Sequence, residues 1–299
     1  MRITLSGATG FLGRHLVARL CKEGHSVCLL TRRPITGLPS GVETYIWNPP
    51  KVEPAPEALE NSDAVIHLAG ATVNQRWTTE SKNLLRSSRL DSTRSLVQAI
   101  STLSRRPSLL LSASATGVYG SRGDEILTEA SSPGEGFLAD LSVDWEHEAN
   151  LARSLGMRVH CLRTGVVLGS DGGALPSMLP VFRLGIGGRL GNGQQWMSWI
   201  HLDDWVGGVL HLLKANLPSG PVNLTASEPV RNAEFTIMLG KTLHRPAFLV
   251  VPDLALKLLF GEMSSVLLGS QRVSPELILK SGYEFRYLAL ESGLRSLLQ

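Results

Sequence analysis

The chain has 299 residues, 43% hydrophobic and 18% charged, with 29 Lys and Arg against 26 Asp and Glu and a net charge of +3. This apolar content excludes a disordered chain. The surplus cations form no run longer than Arg32-Arg33 or Arg105-Arg106, which gives no ground for nucleic-acid binding. The length suits one large α/β unit or two modest domains.

Cys21, Cys28 and Cys161 have neither metal-type spacing nor a disulfide framework, so they read as small core residues in a reducing compartment, and no metal is expected. No apolar run approaches the roughly 18 residues of a membrane helix. The richest, Phe248 to Phe260, is broken by Pro252, Asp253 and Lys257. The first residues read as a strand with no leader before them, so the expectation is a cytoplasmic protein with no membrane partner.

Arg2 to Ser6 alternates as a strand and runs into Gly7-Ala8-Thr9-Gly10-Phe11-Leu12-Gly13. Leu12, Leu16, Val17 and Leu20 then recur at helical spacing, Gly24 stands where a helix would be capped, and Val27 to Leu30 form a second strand. Glycines between a strand and a helix permit a tight turn and close backbone approach to a pyrophosphate, which the helix N-terminus attracts. The spacing is Gly-x-x-Gly-x-x-Gly. A glycine turn alone is also a plain connector; inside a complete βαβ unit it reads as a dinucleotide site formed by Gly7, Thr9, Gly10, Phe11, Leu12 and Gly13. Where an NAD site would place an acid after the second strand stand Thr31, Arg32 and Arg33. Two guanidiniums suit a ribose 2′-phosphate, so the expected cofactor is NADP(H).

Glu43 to Trp47 reads as a third strand and Ala64 to Gly70 as a fourth, with Leu68, Ala69 and Gly70 letting backbone lie against the cofactor. A helix is expected over Thr79 to Leu103. Further strands are expected at Ser108 to Ser112, Arg158 to Arg163 and Val222 to Leu224. Strands alternating with helices imply an α/β fold, a Rossmann-type doubly wound parallel sheet, with a smaller, mainly helical C-terminal substrate lobe. The expected division is a Rossmann core over 1–168, completed by about 201–224, and a covering lobe from 169–200 and 225–299, in one composite unit. The lobe begins with glycine-rich stretches at 169–173 and 185–193.

Five further motifs accompany the glycine turn: His67-Leu68-Ala69-Gly70, Ser112-Ala113-Ser114-Ala115-Thr116-Gly117-Val118-Tyr119-Gly120, Leu162-Arg163-Thr164-Gly165, Trp199-Ile200-His201-Leu202-Asp203-Asp204 and Asn223-Leu224-Thr225-Ala226. With Arg76-Trp77 and the tail around Gly269-Ser270-Gln271-Arg272, the chain resembles the extended short-chain dehydrogenase/reductases, in the NAD-dependent epimerase/dehydratase branch. Within it the likeness is to the atypical sugar-nucleotide-epimerase-like subgroup that includes family 39U. The resemblance implies that Ser114 hydrogen-bonds a reacting oxygen and that Ser112, Ala113, Arg163 and Thr164 lie along the cofactor. Arg89 stands where relatives often place a cofactor-facing Asn.

The resemblance fails at the proton-transfer pair. The family pattern Tyr-x-x-x-Lys belongs on the helix expected over Phe137 to Ala152, but the tyrosines are Tyr45, Tyr119, Tyr283 and Tyr287, and no lysine stands between Lys82 and Lys214. With Glu146 aligned to the family's following Glu, Leu138 replaces the Tyr and Ser142 the Lys. Tyr119 is then the nearest phenol by motif, and Asp140, Asp144 and Glu125 are the carboxylates in reach. The competing reading is that substrate or water supplies the proton.

The expectation is an NADP(H)-binding oxidoreductase or epimerase-like enzyme acting on an unidentified small molecule at Ser114 and Tyr119; the alternative is a non-catalytic NADP(H)-binding regulatory or scaffold protein. His67 reads as a core histidine and His201 as a loop or helix-cap residue. Trp196, Trp199 and Trp205 either line a substrate pocket or pack the lobe. Arg183 and Arg189 are the sole candidates for a second diphosphate cradle.

Overall fold

A computed structural model describes residues 1–39, 41–49 and 51–299. Seven strands form one parallel sheet: β1 (Arg2–Ser6), β2 (Ser26–Thr31), β3 (Val42–Ile46), β4 (Ala64–His67), β5 (Leu109–Ala115), β6 (Arg158–Thr164) and β7 (Gly220–Leu224). Their spatial order is β7-β6-β5-β4-β1-β2-β3. The order reverses at β1, which lies between β2 and β4, and a doubly wound sheet opens its crevice at such a point.

The main helices are α1 (Phe11–Lys22), α2 (Thr79–Ser101), α3 (Phe137–Asn150), α4 (Leu175–Arg183), α5 (Leu202–Lys214), α6 (Asn232–Thr242), α7 (Asp253–Phe260) and α8 (Leu290–Leu298). Strand alternation sends Ile3, Leu5, Leu109 and Leu111 to one face, where Leu16, Val17 and Leu20 of α1 and Trp205, Val206 and Val209 of α5 cover them. Leu110, Val159 and Cys161 face the opposite layer, under Leu96, Val97 and Ile100 of α2 and Ala149 of α3. A third apolar cluster joins Leu168 and Trp199 to Leu175, Leu179 and Phe182 of α4, Phe235 and Leu239 of α6, and Leu290 and Leu294 of α8. Among the described residues no helix is long and apolar enough to cross a membrane.

The expected elements are present with shifted ends. Gly24 stands just past α1 at φ +77°, the left-handed residue that closes the helix. β4 stops at His67, three residues short of the expected Gly70, and β5 runs to Ala115 because its pairing with β6 continues to Ala115 and Thr164. The helix expected to Ala152 ends at Asn150 and tightens into a 3-10 turn over Leu151–Leu155.

Two buried polar groups lock the layers. His67 is fully buried on β4. The hydroxyl protons of Ser92 and Thr93 go to α2 carbonyls, so His67 Nε2 donates to those oxygens and Nδ1 accepts from Ser6 Oγ at 2.6 Å. Burial pulls the ring down to about 4. The unfolded chain therefore binds more protons below pH 6.5, and this contribution, complete above that pH, is lost as pH falls toward about 4.

Asp204, in the first turn of α5, accepts the backbone N–H of Arg286 at 2.7 Å and of Tyr287 at 2.9 Å, and Tyr283 Oη donates to its carbonyl oxygen at 3.0 Å. That carboxylate ties residues 283–287 onto α5. Asp204→Ala orphans two backbone donors and is expected to cost about 3 kcal/mol, seen as a lower urea midpoint by tryptophan fluorescence. In the same assay wild-type stability declines between pH 6.5 and about 4, and His67→Gln removes that part of the slope.

Candidate active site

The three glycines of the turn serve three packing needs. Gly7 has φ +79°, and a Cβ there would stand 2.7 Å from the Leu68 carbonyl carbon, so the ends of β1 and β4 approach as only glycine allows. A Cβ on Gly13 would fall 2.2 Å from Gly7 O, whereas at Gly10 nothing lies nearer than Gly7 O at 3.3 Å. Gly10 is therefore the least crowded of the three, with only a tight contact to Gly7 O at the start of α1. The first turn of α1 has no side-chain cap and no acidic residue, leaving its free N–H groups and positive dipole end for an anion.

The loop 169–173 closes around this helix start. A Cβ on Gly169, Gly172 or Gly173 would strike the Phe11 ring at 2.5, 2.2 and 3.0 Å. Asp171 pairs with Arg14 at 2.9 Å and His15 at 3.0 Å, pinning the loop to α1.

At the end of β2, Thr31 is buried and its hydroxyl donates to Arg33 O at 2.9 Å, while Arg32 and Arg33 are exposed. Among the described residues neither guanidinium meets a carboxylate. Beyond β4, Arg89 reaches back from α2 to donate to Ala71 O at 3.0 Å, lies 5.0 Å over the Trp145 ring, and would touch a Cβ on Gly70 at 3.4 Å. Among the described residues no carboxylate partners it, and burial pulls it down to about 10, so it stays cationic at neutral pH beside the strand ends.

Gly7, Gly10, Phe11, Leu12, Gly13, Leu68, Ala113, Ser114 and Thr164 line one cleft together with Trp205. Thr9, Ala69, Gly70, Arg32, Arg33 and Arg89 lie outside that lining. Ser112 is fully buried further back along β5, its hydroxyl without a partner among the described residues.

The floor of the cleft is one hydrogen-bonded chain. Ser114 Oγ donates to Glu146 Oε1 at 2.6 Å. Arg163 grips the same carboxylate with Nε at 2.8 Å and Nη2 at 2.9 Å, and its Nη1 donates to Tyr119 Oη at 2.9 Å. Tyr119 Oη donates to Asn223 Oδ1 at 2.7 Å. Burial works against the Arg163 charge, but Glu146 outweighs it and holds the guanidinium above its ordinary range. Burial also raises the Tyr119 phenol, against the opposing pull of Arg163. Tyr119 is fully buried, faces Arg163 and Asn223, and does not reach the cleft. Beside Ser114, Trp205 Nε1 donates to Thr164 Oγ1 at 3.1 Å, and Thr164 donates to Leu162 O at 3.2 Å.

Of the carboxylates in the sequence reading, Asp144 pairs with Arg86 and Glu125 with Arg122, while Glu146, read there only as a landmark, receives Ser114. Its chain distance of 32 residues from Ser114 hid the contact; the Arg163 motif, needing a buried counter-charge, was the available signal. His201 caps α5, accepting from Asp203 N at 3.0 Å. Trp199 is buried, Trp205 lies under the cleft, and Trp196 sits at 4.6 Å from both Arg231 and Arg272.

Removing one partner of a buried pair strands the other charge. Arg163→Met is expected to cost about 3 kcal/mol, and the double variant Arg163→Met/Glu146→Leu to recover part of it, measured as a double-mutant cycle in urea.

Residues 3–224 match the model of the NAD dependent epimerase/dehydratase family, and residues 251–297 match a domain of unknown function, DUF1731. The epimerase family protein SDR39U1 homolog, chloroplastic, of Arabidopsis thaliana is 39% identical, with 100% of this chain and 87% of that protein covered. Epimerase family protein Mb2239 of Mycobacterium bovis is 40% identical, covering 98% of this chain and 96% of its own. The crystal structure of human epimerase family protein SDR39U1 (isoform 2) with NADPH superposes with a TM-score of 0.88 at 32% identity, over 100% of this chain and 99% of that one. The chain belongs to the NAD-dependent epimerase/dehydratase family.

Proposed function

We propose that the protein is an NADP(H)-dependent oxidoreductase or epimerase-like enzyme acting on a small molecule bound above Ser114. The observation that carries this reading is the single cleft that joins an uncapped helix N-terminus to Ser114 and Thr164. Gly7, Gly10 and Gly13 would admit the pyrophosphate to the N–H groups of α1, Arg32 and Arg33 would take a 2′-phosphate, and Arg89 would add a cation beside Gly70. A bound nicotinamide supplies a hydride donor or acceptor. The chain's own contribution is to hold the reacting oxygen at Ser114 and to fix that hydroxyl through Glu146 and Arg163. The NADPH in the human relative's crystal structure supports this assignment. Segments 169–200 and 225–299 would cover the bound molecules, since the loop at 169–173 already encloses Phe11.

Leu138 and Ser142 favour a second reading, a cofactor-binding protein without turnover, because neither side chain transfers a proton as a Tyr–Lys pair does. The readings separate in a screen of NADPH oxidation over a metabolite library, with Ser114→Ala as control. Cofactor consumption, or conversion of a metabolite to an isomer with no net consumption, that is abolished by that substitution supports the enzyme; tight binding with neither supports the second reading.

Cofactor choice is tested by fluorescence titration. NADPH is expected to bind at least tenfold tighter than NADH, and Arg32→Ala or Arg33→Ala to weaken NADPH about tenfold with little change for NADH. Equal wild-type affinities would overturn the NADP(H) assignment.

A further inference from the structure

We infer that the cleft floor selects a hydrogen-bond donor, an alcohol or an amine, over a carbonyl, an inference that rests on the cofactor-site reading above. Three side chains lining the cleft carry a polar hydrogen: Ser114, Thr164 and Trp205. Each hydrogen is already committed away from the open space.

The Glu146 carboxylate, held on both oxygens by Arg163, can only accept, so the contact at 2.6 Å fixes the Ser114 proton on Glu146. Indole N–H can only donate, so Thr164 Oγ1 is the acceptor from Trp205, and the Thr164 proton goes to Leu162 O. What these hydroxyls offer a ligand is oxygen lone pairs. A substrate hydroxyl or amine meets a partner at Ser114; a carbonyl oxygen there meets another acceptor.

Glu146 is thus a positioning residue. It sets the direction of the Ser114 hydroxyl, 32 residues away in the chain, without touching the ligand.

The test uses the NADPH-loaded protein and ligand-observed NMR with matched probes: cyclohexanol, cyclohexylamine and cyclohexanone, then 2-butanol and 2-butanone. The alcohols are expected to bind about fivefold tighter than their ketones, the value of one neutral hydrogen bond, and cyclohexylamine, an ammonium ion at neutral pH, at least as tightly as cyclohexanol. Ser114→Ala is expected to erase the preference. Glu146→Gln, whose amide can donate to Ser114 Oγ and turn its proton toward the cleft, is expected to shift the preference toward the ketones; if that variant does not fold, Ser114→Ala decides alone.

Ketones binding as well as alcohols, neither class binding, NADPH oxidised by the ketones, or a preference that survives Ser114→Ala would each overturn the inference. The loading step separates the two failures. A protein that takes up no NADPH refutes the cofactor reading, whereas uptake followed by equal or ketone-favouring binding refutes this inference alone.

Discussion

The bidentate pair between Arg163 and Glu146 is the constraint on which the site depends. Arg163 lies one residue before the end of β6, Glu146 lies on α3, and both side chains are nearly excluded from water. In such surroundings each charge needs the other, so β6 and α3 cannot separate without stranding one of them. The remaining lone pair of Glu146 then fixes Ser114 on β5, and the remaining donor of Arg163 fixes Tyr119, which in turn holds Asn223 on β7. Three adjacent strand ends are registered by one ion pair, and the cleft inherits its polarity from that registration.

The glycine turn was fully legible because its constraints are local. Gly7, Gly10 and Gly13 lie within seven residues; Gly7 and Gly13 prevent clashes with backbone a few residues or one strand away, and Gly10 relieves a tight contact with Gly7 O. His201 as a cap and His67 as a core histidine were legible for similar reasons: one precedes an acidic helix start and the other lies in an unbroken apolar strand. Strand ends were less legible. β5 exceeds its apolar run because ladder pairing with β6 continues through Ser114 and Ala115, and nothing in the composition of β5 signals its neighbour.

The roles of Tyr119 and Glu146 were illegible for a different reason. Motif position put Tyr119 five residues beyond Ser114 and so within apparent reach, but the 3-10 turn over Thr116–Tyr119 swings its phenol toward β7. Glu146 comes to Ser114 only because α3 packs across the end of β5, a long-range fact. A helix-face carboxylate in isolation reads as a solvated charge; it becomes a buried acceptor only once Arg163 is placed opposite.

The two ends of the cleft have opposite hydrogen-bonding character. At the glycine turn the protein offers donors and positive charge: the free N–H groups of α1, with Arg32, Arg33 and Arg89 nearby. At the floor, Ser114 and Thr164 offer lone pairs alone. A ligand with an anionic middle and a neutral reacting end is therefore oriented before any side chain moves, because reversing it would place anions against acceptors and leave the α1 donors unmet. Such a gradient needs no Tyr–Lys pair to position a ligand. In the proposed reading, Leu138 and Ser142 in place of a Tyr–Lys pair would change the proton supply alone, since the uncapped start of α1 and the ion pair that registers the sheet do not depend on either residue.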